Sequence, residues 1–182
     1  MNSPYCLIVS GPSGSGKSTT AKRLWKILEG NPAYLSLDSM KHFIQGAESN
    51  SHFLDLARTG ALLLTENYLK AGHSVIIDKA FGSYKYVEPF MDIAKKGGFE
   101  SYYFKLTASL NVLIKRVENR RNFSLKEKIN AGEWPLPKGN EKTARAIYEF
   151  CERNKHTEGI EIDTEKNSID TVIEIILSQI VK

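Results

Sequence analysis

The residues with the clearest capacity for chemistry lie in one glycine-rich stretch, residues 11–19, which reads GPSGSGKST. It fits the pattern G-x-x-x-x-G-K-[ST] of loops that bind nucleotide phosphates. Gly14 and Gly16 let the backbone curl so that N–H groups point inward, and the following helix N-terminus adds partial positive charge. Lys17 would reach the β- and γ-phosphates, and the Ser18 hydroxyl would bind Mg²⁺. The expected nucleotide contacts are Gly11, Ser13, Gly14, Ser15, Gly16, Lys17, Ser18 and Thr19.

A second candidate for this chemistry is Asp78, which directly follows the apolar run Val75–Ile77. An aspartate at the end of a buried strand is typical of the acidic element that holds Mg²⁺, directly or through water, near Ser18. The alternative role is to cap a turn or a helix. Residues 79–81 read KAF, so the DxxG pattern of signalling GTPases is missing.

Asp38 is the candidate for a catalytic base, because it is expected to end a second strand with Lys41 and His42 one helical turn beyond. A carboxylate there could accept the proton of a hydroxyl group as its oxygen attacks a γ-phosphate. Lys41 or His42 could pair with the phosphoryl group or with an anionic acceptor. The alternatives are N-capping of the next helix by Asp38 and simple solvation of its two neighbours.

A basic segment later in the chain contains Arg116 and Arg120, which are four residues apart and therefore share a helix face. Guanidinium groups could neutralise phosphate oxygens as the phosphoryl group separates. We expect a lid over about residues 116–140, since the glycines and prolines after the arginines would let it move and exclude water. The alternative is a solvated basic helix end, which the helix dipole favours.

The elements that must position these residues alternate between strands and helices. Expected strands are 5–9, 33–37, 74–77, 100–106 and 159–163, and expected helices are 20–28, a short one from 39, 52–70, 87–96, 110–120, 141–153 and 168–181. Residues 121–140 have weak periodicity and are interpreted as a mobile segment or a short hairpin of helices. The alternation predicts a mostly parallel sheet covered on both faces, with ligands at the carboxyl ends of the strands.

Composition places few limits on function. The 182 residues suit one domain, 1–182, and the net charge of +4 suits anionic ligands without implying nucleic acid. Cys6 and Cys151 have no metal-ligand spacing. No apolar run approaches 18 residues and no signal peptide is recognisable, so the expectation is a cytoplasmic enzyme without a membrane span.

With these motifs in this order, the chain resembles the P-loop kinases of the adenylate-kinase-like group, which includes gluconate and shikimate kinases, chloramphenicol phosphotransferase and polynucleotide 5′-hydroxyl kinases. The resemblance implies an α/β three-layer P-loop NTPase sandwich, with a five-stranded parallel sheet in the order 2-3-1-4-5 and a small lid. It implies ATP and Mg²⁺ as cofactors and Asp38 as the base. It also implies that Arg116 stacks on adenine, that Arg120 binds phosphate, and that Ile162–Thr164 flanks the adenine ring, which adds Thr164 to the nucleotide contacts.

The expected function is transfer of the γ-phosphoryl group of ATP to a hydroxyl of a small molecule, such as a sugar, a nucleoside or an antibiotic-like compound. Residues 39–60 should form the acceptor pocket, with Lys41, His42, His52 and Arg58 available to it. A polynucleotide 5′-hydroxyl kinase is an alternative, although those enzymes typically carry arginine where this chain has Lys41.

Two further alternatives are a nucleotide-gated switch and a DNA-handling ATPase. Residues 154–157 read NKHT, which is close to a guanine-binding motif, but Thr157 replaces the carboxylate that would hold the base. A switch would hydrolyse GTP without an acceptor, whereas a kinase needs an acceptor to consume its nucleotide.

Overall fold

Five strands form one parallel sheet in the order β2-β3-β1-β4-β5. The computed structural model describes residues 3–44, 51–130 and 140–180, and gives the backbone alone for residues 42, 51 and 121–130. The strands are β1 Tyr5–Ser10, β2 Ala33–Ser36, β3 Val75–Asp78, β4 Glu100–Thr107 and β5 Ile160–Asp163. This order and direction confirm the expected P-loop NTPase-like α/β fold.

Seven helices are found in the described ranges: α1 Lys17–Ile27, α2 Leu37–Met40, α3 Ser51–Lys70, α4 Glu88–Lys96, α5 Leu110–Asn130, α6 Glu141–Arg153 and α7 Ile169–Ile180. Short 3-10 turns follow α2 at Lys41–Phe43 and precede α4 at Tyr84–Tyr86. None of the helices in these ranges has both the length and the apolar character that a membrane crossing requires.

Apolar side chains on the two faces of the sheet form two core layers, one on each face. Ile8 and Ile77 face α3 and α4, whereas Leu7 and Ile76 face α1 and α7. Both faces of the central strands are buried, which explains why their sequences are continuous apolar runs rather than alternating patterns.

The register of the sheet places the candidate residues at one edge. Asp78 at the end of β3 pairs with Val9 of β1 on one side and with Ser36 of β2 on the other. The glycine-rich loop leaves β1 one residue after Ser10, the last residue of that strand. Three neighbouring strands therefore deliver the loop, Asp78 and the start of α2 to the same place.

Two expected boundaries are wrong. The second strand ends at Ser36, so Asp38 lies in the first turn of α2 rather than at a strand end. From the sequence, buried Leu37 is expected in a strand, but it is the first residue of the helix.

The fifth helix continues to Asn130 instead of ending near 120, because residues 121–130 contain no glycine or proline to stop it. Residues 131–139 of the expected lid lie outside the described residues.

Candidate active site

The glycine-rich loop has a backbone shape that requires glycine at three positions. Gly11, Gly14 and Gly16 have φ angles of +144°, +87° and +89°, which side-chain-bearing residues rarely adopt. A Cβ on Gly14 would also lie 2.6 Å from the carbonyl oxygen of Leu113 in α5. The loop is therefore curled tightly against its neighbours, as a cradle of inward N–H groups requires.

The charges of four other groups act on the buried amine of Lys17, whose residue is only 8% exposed. Burial lowers the pKa of Lys17, and the carboxylates of Asp78 and Asp38 partly offset this effect. The cations of Arg120 and Lys79 add to the lowering. The structure thus brings together four residues that the sequence singled out, and adds Lys79, which it did not.

Asp78 is nearly fully buried, at 3% exposure, and its two oxygens differ in their contacts. The Tyr34 hydroxyl donates a hydrogen bond of 2.8 Å to Oδ2, whereas Oδ1 has no hydrogen-bond partner among the described residues. A buried carboxylate oxygen without a partner is costly unless a cation or a water satisfies it.

These features fit a magnesium ion. Asp78 faces the same side of the sheet as α1, because it alternates with Ile77 and shares the face of Ile76. Ser18, partly exposed in the first turn of α1, is on that side. No group of three or more His, Cys, Asp or Glu in the described ranges could hold a metal by itself. Magnesium suits such a sparse site, since it binds one or two carboxylates and takes its remaining ligands from phosphates and water.

Asp38 forms an ion pair that the sequence did not predict. Its Oδ1 accepts a hydrogen bond of 2.5 Å from the ammonium group of Lys79, which follows Asp78. Burial raises the pKa of Asp38, but the charges of Lys79, Lys17 and Lys41 outweigh this effect and hold the pKa below its usual value. Asp38 is therefore ionised at neutral pH, as a proton acceptor must be.

On the other side of the loop, Arg116 joins α5 to the residue after β5. Its guanidinium donates to the Thr164 hydroxyl at 2.9 Å, to the Thr164 carbonyl at 2.7 Å and to the Gly14 carbonyl at 3.4 Å. The Thr164 hydroxyl in turn donates to the carbonyl of Thr107 at the end of β4. Two residues expected beside adenine, Arg116 and Thr164, are thus in direct contact with each other and with the loop.

The other candidates vary in exposure. Arg120 is exposed, one turn beyond Arg116, and its charge acts on Lys17. Ser15 is buried, and its hydroxyl has no hydrogen-bond partner in the part of the chain that the structure describes, whereas Ser13 is partly exposed. Thr19 is exposed and Lys41 is partly exposed. The side chain of His42 lies outside the described residues.

Sequence reasoning missed Lys79 and Tyr34. The signal for Lys79 is its position directly after Asp78, at the same strand end. Tyr34 has a weaker signal, because it contacts Asp78 only if β2 lies next to β3 in this register. That neighbour relation follows from sheet order, which periodicity alone does not determine.

Three solved structures share this fold over nearly the whole chain. A sugar kinase from Janibacter sp. HTCC2649 is 16% identical, with a TM-score of 0.65 and coverage of 97% of this chain and 94% of that chain. A gluconokinase from Sinorhizobium meliloti 1021 is 16% identical, with a TM-score of 0.62 and coverage of 98% and 92%. The APS kinase of Mycobacterium tuberculosis, in complex with AMPPNP and APS, is 18% identical, with a TM-score of 0.61 and coverage of 100% of both chains.

Sequence comparison gives a family. No curated protein matches the chain at a significant level. The sequence pattern of a family described as an AAA domain matches residues 7–133, which is more than half of the chain. The match contains the glycine-rich loop, Asp38 and Asp78. The chain therefore belongs to this AAA domain family and has the fold of the P-loop kinases.

Proposed function

We propose that the protein is an ATP-dependent kinase that transfers the γ-phosphoryl group of magnesium-bound ATP to a hydroxyl group of a small molecule. The observation that carries the proposal is the position of Asp38. Its carboxylate lies within electrostatic reach of Lys17 and is paired with Lys79. An ionised carboxylate at this position can accept the proton of an attacking hydroxyl group, and the need for an added acceptor distinguishes an alcohol from water as the nucleophile.

In this proposal the acceptor hydroxyl gives its proton to Asp38 while its oxygen forms a bond to the γ-phosphorus. The bond from that phosphorus to the β,γ-bridging oxygen breaks, and ADP leaves with the bond's electron pair. Lys17 and Arg120 hold the phosphate oxygens as charge moves among them. The Mg²⁺ ion, held by Ser18 and Asp78, would neutralise part of the triphosphate charge.

The adenine end of the nucleotide is assigned to Arg116 and Thr164. Their contacts fix the guanidinium plane of Arg116 beside the loop carbonyl of Gly14. A fixed planar cation offers a surface on which a purine ring can stack. This assignment keeps the role beside adenine that the resemblance implies for the pair. Substitutions can test that role separately from the role of Arg120 at the phosphates.

The acceptor is assigned to residues 39–44 and 51–60, next to Asp38, while residues 45–50 of the expected pocket lie outside the described residues. Lys41 is in the turn after α2, and Arg58 of α3 stacks over the ring of Tyr86 with 4.2 Å between its guanidinium carbon and the ring centroid. Phe43 is 81% exposed beside Lys41. Cationic and apolar groups together suit a small acceptor with a polar or acidic group, such as a sugar, a nucleoside or an antibiotic-like compound. The sugar kinase and gluconokinase neighbours are consistent with this class.

A polynucleotide 5′-hydroxyl end is the second acceptor to test, since Lys41 could also contact a phosphate of a nucleic acid. Such an acceptor would bind with an affinity that falls steeply as salt rises.

A nucleotide-gated switch is less well supported. The amide of Asn154, in the motif that resembles a guanine-binding sequence, donates 2.8 Å to the carbonyl of Phe150 and so closes the end of α6. That contact gives the asparagine a structural role.

The test is consumption of ATP with and without a panel of hydroxyl compounds, including aldonic acids, sugars, nucleosides and oligonucleotides with a free 5′ end. The proposal expects ATP to be consumed only with one class of acceptor, with one phosphate gained by the acceptor for each ADP formed. GTP hydrolysis that needs no acceptor would favour a switch and would overturn the proposal.

A further inference from the structure

We propose that Tyr34 is a positioning residue for the magnesium site, which orients Asp78 so that one oxygen of its carboxylate is presented to the ion. This inference rests on the proposed function, because it concerns the residues that would hold Mg²⁺ during phosphoryl transfer. It adds a residue of β2 to a site otherwise built from the glycine-rich loop, α1 and β3.

The contact that carries the proposal is the hydrogen bond of 2.8 Å from the Tyr34 hydroxyl to Oδ2 of Asp78. Because the carboxyl group can rotate about its bond to the methylene carbon, one anchored oxygen determines where the other points. That other oxygen, Oδ1, is buried and has no hydrogen-bond partner among the described residues. The arrangement leaves one oxygen of a carboxylate available for a cation or a bound water.

The tyrosine is itself held in place by α1. The indole ring of Trp25 stacks on Tyr34 with ring centroids 5.9 Å apart and an interplanar angle of 28°. The indole N–H donates a bond of 2.9 Å to the carbonyl of Pro32, just before β2. The helix that begins with Lys17 and Ser18 thus also supports the tyrosine that contacts Asp78.

The hydroxyl is also in the right protonation state. A phenol keeps its proton at neutral pH, so the Tyr34 hydroxyl can act as the donor to Asp78. A phenylalanine at this position would keep the ring and its stacking on Trp25, but would leave both oxygens of Asp78 without an anchor.

The test is calorimetric titration of Mg²⁺ into the protein with the non-hydrolysable nucleotide AMPPNP, compared with AMPPNP binding in EDTA. For Tyr34→Phe we expect the Mg²⁺ concentration at half-saturation to rise about tenfold, the scale on which loss of a group that orients a metal ligand weakens metal binding. Binding of AMPPNP in EDTA should be unchanged, because Tyr34 acts through the ion and not on the phosphates.

Tyr5→Phe is the matched control. Tyr5 packs against the same core layer, but at the opposite end of its strand from the site, where its ring meets Tyr102 edge-on at 5.9 Å. Its Mg²⁺ half-saturation should equal that of the wild type. Trp25→Phe, which loses the bond to Pro32 but keeps an aromatic ring, should shift half-saturation in the same direction by a smaller factor.

Two results would overturn the inference while leaving the proposed function intact. One is that AMPPNP binding by the wild type depends on Mg²⁺, but Tyr34→Phe and Trp25→Phe both keep the Mg²⁺ concentration at half-saturation within about twofold of the wild type. The other is that Tyr34→Phe loses AMPPNP affinity equally in EDTA and in Mg²⁺, which would mean that Tyr34 acts only on the shape of the loop. A wild type whose AMPPNP binding ignores Mg²⁺ would overturn the inference and the proposed function together.

Discussion

The ammonium nitrogen of Lys79 lies 2.5 Å from Oδ1 of Asp38, although the two residues are 41 positions apart in the chain. Lys79 follows the last residue of β3, and Asp38 is in the first turn of the helix after β2. Because β2 and β3 are neighbours in the sheet, their ends bring the two charges together. The side chain of Lys79 is 14% exposed and that of Asp38 is 51% exposed, so the lysine is largely shielded while water still reaches the carboxylate.

This pair predicts the pH dependence of the reaction. Asp38 works as a base only when ionised, and Lys79 contributes to holding its pKa below the usual value. In Lys79→Met the opposing effect of burial remains while part of the cationic charge is lost, so the pKa of Asp38 rises. The acidic limb of the kcat/KM profile should therefore move to higher pH, with Lys79→Arg close to the wild type.

The neighbouring lysine, Lys85, is a suitable control for this experiment, because it lies over the ring of Tyr86 and is not among the charges that act on Asp38. Lys85→Met should leave the acidic limb where it is. An unchanged limb in Lys79→Met would show that the ion pair does not affect the base.

Asp38→Asn should remove the base while keeping the shape of the side chain. We expect kcat to fall by about 10²–10⁴, the usual contribution of a general base. ATP affinity should change little, since Asp38 is assigned to the acceptor and not to the nucleotide. Single-turnover kinetics with calorimetric ATP binding would separate the two quantities, and normal turnover would remove Asp38 from the mechanism.

Arg116 and Arg120, one helical turn apart, should have separable roles. Arg116→Ala loses the contacts to Thr164 and Gly14 and should weaken nucleotide binding more than it slows the chemical step. Arg120→Ala should lower kcat by about 10²–10³ with a small change in ATP affinity, because its charge is used as the phosphoryl group separates. Equal effects of both substitutions on ATP affinity and on kcat would contradict this division.

Two loop glycines allow the effect of crowding to be measured apart from that of backbone strain. Gly14 and Gly16 have nearly equal φ angles, but only Gly14 has backbone atoms within 4 Å of an added Cβ, those of Leu113. Gly16→Ala should cost about 1–2 kcal/mol of unfolding free energy, the price of a left-handed conformation. Gly14→Ala should cost clearly more, and denaturant unfolding would measure both. Equal losses would mean that the contact with α5 relaxes freely.

The main features of the fold could be predicted because buried apolar runs mark the central strands, as in Val75–Ile77. The boundary between β2 and α2 could not, since Leu37 is buried whether it ends a strand or begins a helix. The length of α5 could not be predicted either, because the weak periodicity of residues 121–140 indicates a mobile segment or a short hairpin of helices, although residues 121–130 contain no glycine or proline to end the helix.

In the site, the loop and the two aspartates could be found from local sequence, whereas their supporting contacts could not. The bonds from Tyr34 to Asp78 and from Lys79 to Asp38 join residues more than 40 positions apart and depend on which strands are neighbours. The pairing of Arg116 with Thr164 is likewise distant in sequence, and only the resemblance to a family singled out Thr164. The roles of these residues stay predictions.

The central claim is that Lys17 and the carboxylates around it serve the transfer of a phosphoryl group to an acceptor. The most direct measurement follows the label of γ-³²P-ATP into acceptor compounds, with the wild type and Lys17→Ala side by side. Thermal unfolding of both proteins would check that the alanine variant is folded, because removing a buried cation next to Asp78 and Asp38 also affects stability. The account predicts a labelled acceptor with the wild type and none with Lys17→Ala. A wild type that labels no hydroxyl compound, or a folded Lys17→Ala that transfers label at the wild-type rate, would contradict it.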